Sequence, residues 1–183
     1  MRRLGIFLAG VVVLAVAAAC RDSTQPPVAS LPSVADSADQ MLIGIQYIMT
    51  TKGIQRGELN ADTAYVLDDQ TRFDLRRAHV NFKTETGSPQ GTMDANRGVY
   101  NQRTQILEGW GDVIVKLIDG RTLKSPHLTF NQLTHQISSD TSYTLSKGND
   151  TQSGIGFISD QAFVKFTCKA ACKGSTSLLI PER

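Results

Sequence analysis

The side chains that most often carry catalysis or bind metals are sparse in this sequence. Its three histidines are His79, His127 and His135. A hairpin turn near Gln132 would place His135 opposite Phe130 rather than near His127, so the two histidines would not meet as ligands of one metal. We therefore predict strand histidines that are solvated or half-buried, with neither a metal site nor another cofactor.

A second candidate for chemistry is the stretch 108–112, which reads EGWGD. Two carboxylates close together are typical of general acid–base catalysis. Glycines on both sides of Trp110, however, more simply indicate a bulge or a bend in a strand. Because no serine, histidine and aspartate arrangement stands out either, we predict that the protein is not an enzyme.

The cysteines indicate an oxidising compartment. Cys168 and Cys172 form an even pair once Cys20 is set aside, and such a pair in an exported chain predicts a disulfide. Metal binding by the same two thiolates is the alternative, although no second pair or nearby histidine supports it. We assign the pair to a C-terminal tail at 168–183.

The N-terminus has the features of an export signal. Arg2 and Arg3 precede an apolar run at 4–19, which is short for a helix that crosses a bilayer. Cys20 follows three alanines, as in a bacterial lipoprotein cleavage box. We predict a lipoprotein-type signal peptide at 1–19 and lipidation of Cys20, with an uncleaved membrane anchor as the alternative.

Residues 20–40 have the composition of a linker. They include three of the six prolines of the chain, together with Ser, Asp and Ala. A segment of this composition buries no core and favours a flexible tether. The folded domain is therefore predicted at 41–167.

The charge balance excludes one class of partner. The chain has 19 Lys+Arg and 17 Asp+Glu, and removal of Arg2 and Arg3 with the signal leaves 17 of each sign. A nucleic-acid-binding protein needs clustered basic charge to displace counterions. We therefore predict no nucleic-acid partner.

Strand signals dominate the folded domain. The stretch 112–118, DVIVKLI, is apolar and β-branched, and Asp119 and Gly120 follow it as a hairpin turn dipeptide. Short strands that recur about every eight to twelve residues are typical of an all-β sandwich, barrel or roll.

Three stretches repeat one outline at a spacing of about 30 residues. When Leu59, Met93 and Leu123 are aligned, Ala61, Ala95 and Ser125 also come into register. A unit of this length fits two strands and two turns, and it buries its apolar face only against its neighbours. The repeats therefore predict an antiparallel ladder of strand pairs with one apolar side.

Strand alternation places large and small residues together on that side. Such pairs would leave a groove for an apolar ligand, and the alternative is a closed core in which facing strands interdigitate large with small residues. For the groove, the predicted lipid-binding residues are Leu59, Ala61, Met93, Ala95, Leu107, Val113, Val115, Leu117, Leu123 and Ile137.

Two of the repeated units resemble the periplasmic lipopolysaccharide-transport family LptC and the related LptA/OstA-like domain. The shared pattern is a glycine, then Leu or Met, then Ala with Asp or Asn, ahead of a tyrosine. The similarity extends over about 50–166. The matching positions are Gly57, Leu59, Ala61, Asp62 and Tyr65 in one unit, and Gly91, Met93, Ala95, Asn96, Tyr100, Glu108, Gly111, Asp112 and Val113 in the next.

The resemblance implies an open antiparallel β-jellyroll at 41–167 that cradles the acyl chains of lipopolysaccharide. It implies that lipid arrives from an inner-membrane ABC transporter (LptBFG-like) and passes to an LptA-like periplasmic jellyroll through strand-edge contact. The expected location is the periplasm, anchored to a membrane. We favour the inner membrane, where the resemblance places the protein. The outer membrane is the alternative, because a lipobox-like Cys20 stands where the inner-membrane family member typically keeps a transmembrane helix.

A second hypothesis belongs to another functional class. A structural or scaffold lipoprotein of the envelope, with a closed β-sandwich, would bind protein partners only. The two hypotheses differ in whether the roll opens along one seam to admit a hydrocarbon chain.

Overall fold

The structure, a computed structural model, describes residues 33–51 and 53–174. The predicted signal peptide, the predicted lipidation of Cys20, and the tail beyond position 174 lie outside the described residues. A short 3-10 turn, Val34–Ser37, precedes the sheet. The Ser33 backbone N–H donates to the Asp36 carboxylate at 2.8 Å, which fixes the start of this turn.

Nine antiparallel strands form one sheet, and each strand pairs with its neighbours in the chain. β1 and β9 each have a single partner strand among the described residues, so the sheet is open. The predicted all-β class and open antiparallel jellyroll are confirmed. The strands are β1 (Gln40–Thr51), β2 (Ile54–Leu67), β3 (Arg72–Lys83), β4 (Pro89–Asn101), β5 (Ile106–Leu117), β6 (Thr122–Asn131), β7 (Gln136–Lys147), β8 (Asp150–Asp160) and β9 (Thr167–Gly174).

The repeat reuses one kind of turn. Asn101 ends β4, and its side-chain oxygen accepts hydrogen bonds from the backbone N–H groups of Arg103 and Thr104, both at 3.0 Å. Asn131 ends β6 and accepts from the two equivalent amides at 3.0 and 3.1 Å. An asparagine side chain imitates a backbone turn in this way, so these asparagines fix where each strand stops.

The central strands are interrupted near their middles. In the β5–β6 ladder the register shifts between Trp110 and Val113, and the β4–β5, β6–β7 and β7–β8 ladders shift at neighbouring positions. Gly111 and Asp112 have φ of 72° and 52°, a left-handed conformation found at β-bulges. The bulge predicted around Trp110 is confirmed. We call this line of interruptions the crease.

The crease folds the sheet over on itself. Phe82, near one end of β3, contacts Phe130 with ring centroids 5.2 Å apart. Through the ladder of β3 to β6, however, Phe130 aligns with Phe73, at the opposite end of β3. The two halves of the sheet must therefore face each other, and the core lies between them.

Serine hydroxyls bond to the backbone where the crease breaks the ladder. Ser125 and Ser139 are buried, and their Oγ atoms lie 2.8 and 2.7 Å from the carbonyl oxygen of His127. Ser125 Oγ is also 3.0 Å from the carbonyl oxygen of Ser142. Buried backbone groups need such partners, which explains why polar residues occupy these core positions.

The sheet extends past position 167, where the sequence predicted the domain to end. β9 continues to Gly174 and contains Cys168 and Cys172, which are joined by a disulfide with Cα atoms 6.1 Å apart. As an edge strand, β9 is exposed at nearly every position. It therefore lacks the apolar alternation that would reveal a strand in the sequence.

Candidate functional site

Two rows of side chains face each other across the interior. The Leu59 row occupies directly paired positions on β1 to β7, and the Tyr100 row occupies paired positions on β2 to β7 in the other half of the sheet. Most members of both rows are buried. The Leu59 row is Tyr47, Leu59, Val80, Met93, Val115, Leu123 and Leu145, and the Tyr100 row is Val66, Phe73, Tyr100, Leu107, Phe130 and Ile137.

Nine of the ten predicted lipid-binding residues are buried in one core cluster, and the tenth, Leu117, is partly buried against it. Their side chains pack against one another, so the protein's own atoms fill most of the interior. Contact with lipid at these positions stays a prediction. The nine are Leu59, Met93, Val115 and Leu123 on the Leu59 row, Leu107 and Ile137 on the Tyr100 row, and Ala61, Ala95 and Val113 near the crease.

The small residues on the inward faces are explained by close contacts between neighbouring strands. A Cβ placed on Gly109 would lie 3.3 Å from the Cβ of Ala95, and one placed on Gly98 would lie 3.2 Å from the Cβ of Ala78. Neighbouring strands thus come close together where the sheet bends. The alternation of large and small residues that suggested a groove is explained here by this close approach.

An apolar cavity of about 240 Å³ remains at the β1 end of the interior. It lies between the ends of the two rows, and among the predicted lipid-binding residues Leu59 lines it. Sequence reasoning assigned none of the other lining residues to lipid binding: Tyr100 entered only as part of the LptC-like pattern, and the alternation of Ile45 and Tyr47 along β1 was not used. The cavity is lined by Leu42, Ile45, Gln46, Tyr47, Leu59, Phe73, Leu75 and Tyr100.

Two tyrosines bring polar groups to this cavity. The rings of Tyr47 and Tyr100 are 5.4 Å apart, and the Tyr100 hydroxyl donates to the Gln132 side-chain oxygen at 3.4 Å. Burial, assisted by the neighbouring Tyr47, raises the pKa of the Tyr100 hydroxyl above its usual value. Tyr100 is therefore a neutral donor at physiological pH, and the cavity carries no charge from it.

The β8 end of the interior is packed with aromatic rings. Phe157 stacks on Phe166 with centroids 5.0 Å apart, and Tyr143 meets both rings edge-on at 5.3 and 5.2 Å. Phe163, which lies between β8 and β9, adds a fourth ring to this cluster. Phe157 and Phe163 are completely buried.

The histidines are structural in their surroundings. His79 Nδ1 lies 2.7 Å from the Asp94 carboxylate, and the ring of His127 stacks on Trp110 at 4.9 Å. The described residues contain no group of three or more His, Cys, Asp or Glu side chains placed to hold a metal ion.

Asp74 is a completely buried carboxylate that makes ion pairs with Arg76 and Arg97. The guanidinium of Arg97 also lies 5.6 Å from the centre of the Trp110 ring. Hydrogen bonding to Asp74 raises the pKa of Arg97, with burial acting against it. Because the guanidinium groups of both arginines bond to this one carboxylate, the cluster ties β3 to β4.

A known protein family matches most of this chain. The family described as "Lipopolysaccharide-assembly, LptC-related" matches the chain over residues 5–175. The chain belongs to this LptC-related family. No curated protein matches it at a significant level of sequence similarity. Family membership gives the protein a role in lipopolysaccharide transport, a periplasmic location associated with the envelope, and partners among lipopolysaccharide and the transport complex.

The glycines that begin the LptC-like units have a steric role. A Cβ at Gly57 would lie 3.0 Å from the carbonyl oxygen of Asn81, and one at Gly91 would lie 2.6 Å from that of Lys116. Only glycine lets the neighbouring strands approach so closely at these ends. This part of the LptC-like pattern therefore encodes the roll itself rather than ligand contact.

Nothing helical in the part of this LptC-related chain that the structure describes is long and apolar enough to cross a bilayer.

Proposed function

We propose that this LptC-related protein is a carrier that holds the acyl chains of lipopolysaccharide between the two rows of its folded sheet. Lipid arrives from an inner-membrane ABC transporter and leaves for an LptA-like periplasmic jellyroll. The observation that carries the proposal is the apolar cavity of about 240 Å³ between the ends of the two rows. No chemical step is needed, since directional movement comes from the transporter's ATPase.

Burial of hydrocarbon supplies the affinity. Each methylene group taken out of water contributes about 0.8 kcal/mol, so six methylenes in the cavity contribute about 5 kcal/mol. The cavity side chains are aliphatic or aromatic except Gln46, and the raised pKa of Tyr100 keeps its hydroxyl neutral. These are the properties of a site for an alkyl chain.

Longer chains require the two halves of the sheet to separate. Beyond the cavity, Met93 and Val115 are completely buried against other side chains. A chain that extends along the rows therefore replaces contacts between the halves with contacts to lipid. Because both kinds of contact are apolar, the exchange costs little free energy compared with exposing either surface to water.

The free edges of the sheet suit transfer between jellyrolls. Among the described residues, β1 and β9 each have one edge without a partner strand, and Met41 and Ile43 on β1 are 58% and 78% exposed. An exposed strand edge adds a strand from a partner with little rearrangement. We place the transporter and the LptA-like jellyroll at these two edges. Anchoring through Cys20 belongs to the same proposal, because it keeps the roll near a membrane.

A matched pair of substitutions tests the lipid site. Ile45 lines the cavity, whereas Ile48 lies on the opposite face of β1 and is 45% exposed. We expect I45W to fill the cavity and weaken binding of lipopolysaccharide and of a fluorescent fatty acid by about tenfold or more, since that loss equals roughly two buried methylenes. I48W serves as the control and should bind as the wild type does. Equal affinity in both variants would overturn the proposed site.

Photo-crosslinking in cells tests how far the lipid extends. Crosslinkers at Met93 and Val115 are expected to capture lipopolysaccharide, whereas one at the exposed, outward position Lys116 is not. Capture at all three positions alike would contradict the assigned faces of β5.

A scaffold lipoprotein is the second candidate function, and one observation favours it: the predicted lipid-binding residues pack against one another. Such a protein would carry no lipid after purification. Mass spectrometry of organic extracts of the purified protein separates the two functions, because the carrier retains lipid and the scaffold does not.

A further inference from the structure

The connection between β8 and β9 leaves one half of the folded sheet, contacts the other half, and returns to pair Thr167 with Ile158. We call residues 161–166 the strap. The strap begins after Asp160, and the Gln161 side chain donates to the carbonyl oxygen of Lys83 at 3.4 Å. Asp160 pairs with Gln136, in the half of the sheet that contains the Tyr100 row. Lys83 is the last residue of β3 and lies in the half that contains the Leu59 row. The strap therefore spans the seam where the two halves of the sheet meet.

Arg121 fastens the strap. It lies in the turn between β5 and β6, is 9% exposed, and donates from its two terminal nitrogens to the carbonyl oxygens of Phe163 and Ala162 at 2.5 and 2.8 Å. Its Nε donates to the Asp119 carboxylate at 2.6 Å, which fixes the direction of the guanidinium. Arginines in hairpin turns are usually solvated, so the burial of Arg121 has a cause other than the turn itself.

The strap inserts aromatic side chains into the interior. Phe163 is completely buried and Phe166 is 8% exposed, and both belong to the ring cluster with Phe157. Phe163 has a φ of 55°, a left-handed conformation that is unfavourable for a bulky residue. The surrounding ring contacts hold Phe163 in this conformation.

Resting on the carrier function proposed above, we propose that the strap is a displaceable plug. Phe163 occupies the β8 end of the lipid-binding interior, and Arg121 is the latch that holds it there. With the latch closed, acyl chains reach the interior only from the β1 end. Release of the two carbonyls by Arg121 lets Phe163 and Phe166 swing out, and the acyl chain replaces their rings against Phe157.

Opening of the strap would exchange one apolar surface for another. Aromatic rings and alkyl chains are both apolar, so their substitution leaves the buried area of Phe157 nearly unchanged. The hydrogen bonds of Arg121 are instead exchanged for bonds to water, which loses the net stabilisation of two charge-assisted hydrogen bonds. They therefore set the free-energy difference between the closed and the open strap.

The latch is tested with Arg121→Met, which keeps the length of the side chain and removes its donors. Arg121→Lys is the intermediate variant, and Arg103→Met, in the exposed turn after β4, is the matched control. The first measurement is hydrogen exchange at the strap amides, where Val164 and Lys165 donate to the Asp160 carboxylate at 2.7 and 3.0 Å. Two hydrogen bonds from a charged donor are lost, so R121M should exchange about tenfold faster or more there.

The second measurement is the rate at which the full chain takes up cis-parinaric acid, a fluorescent fatty acid. We expect uptake to be fastest in R121M, intermediate in R121K, and equal in R103M and the wild type. If R121M does not fold, Gln161→Ala serves instead, because it removes only the contact to Lys83 and should give a smaller acceleration of the same kind.

The outcomes are distinguishable. Faster strap exchange together with faster uptake supports the latch. Faster exchange with unchanged uptake shows that the strap does not control the interior, and unchanged exchange shows that Arg121 does not hold the strap, so either result overturns the proposal. Absence of uptake by every variant, the wild type included, overturns the carrier function and the plug with it.

Discussion

The β1 end and the β8 end of the interior flank the same ladder of repeated strand pairs, yet the β1 end contains a cavity and the β8 end is filled. At the β1 end, Ile45, Leu59 and Phe73 surround a space of about 240 Å³. At the β8 end, Phe157 and Tyr143 close the space together with the rings of the strap. The backbone repeat therefore sets the shape of the roll, and the side chains decide where it has room.

This difference gives the roll a direction. In the carrier proposed above, an acyl chain that enters from the β1 end meets aliphatic and aromatic side chains around the cavity, and at the far end it meets rings that already pack against one another. That proposal makes the β1 end the site of initial binding, and the β8 end determines how far the chain penetrates.

The largest expected effect comes from truncating equivalent rings at the two ends. Phe157→Ala should lower the free energy of unfolding by about 3–5 kcal/mol, because its ring is completely buried among others. Phe73→Ala should lower the free energy of unfolding by clearly less, since Phe73 is only partly buried and already borders a cavity. Urea unfolding measures both, with Leu133→Ala, at a 64% exposed turn residue, as the unchanged reference. Equal losses at Phe157 and Phe73 would contradict the difference between the ends.

A smaller effect is expected from the disulfide, which strengthens the β8 end only. Replacing Cys168 and Cys172 with serine should lower the free energy of unfolding by about 2 kcal/mol at most, because the bridge closes a very short loop. Hydrogen exchange should accelerate in β9 and leave β1 to β3 unchanged. Wild-type protein treated with a thiol reductant is the control, and acceleration in β1 to β3 would show that the two ends are not independent.

The smallest effect is alkaline destabilisation at the β1 end. The folded state raises the pKa of Tyr100, so it favours the neutral phenol. The stability that the buried neutral phenol contributes is complete while the pH lies below about 10, the pKa of a tyrosine in the unfolded chain. It is lost as the pH rises above that value, and the loss amounts to about 1.4 kcal/mol at pH 11. Chemical denaturation at pH 8 and pH 11 should show that Y100F removes part of this loss.

The same experiment compares the ends directly. Burial also raises the pKa of Tyr143 at the β8 end, but the rise is larger for Tyr100. We therefore expect Y100F to remove more of the alkaline loss than Y143F. The reverse order would place the more deeply buried hydroxyl at the β8 end.

Much of the roll was predictable because its signals are local. Asp119 and Gly120 predicted the turn between β5 and β6, and the alignment of Leu59, Met93 and Leu123 predicted three residues that lie in one row. Strand alternation then assigned the inward faces, and the predicted inward residues are buried or partly buried.

The site was harder to predict because it depends on contacts between distant parts of the chain. Arg121 follows a hairpin turn, where an arginine is usually solvated, and only the folded sheet brings the strap to it. Likewise, Tyr47 and Tyr100 meet only after the sheet folds along the crease. The spacing of residues in the sequence does not determine the distance between the two halves of the folded sheet. A groove and a closed core were therefore equally compatible with the pattern.

The crease has a mechanical consequence. Gly111 and Asp112 lie outside the ladder of hydrogen bonds, so their torsions can change while every ladder bond on either side stays intact. The sheet therefore consists of two paired halves joined along one line. In the carrier proposed above, rotation about that line sets the width of the aperture between the halves, which suits a cargo with several acyl tails.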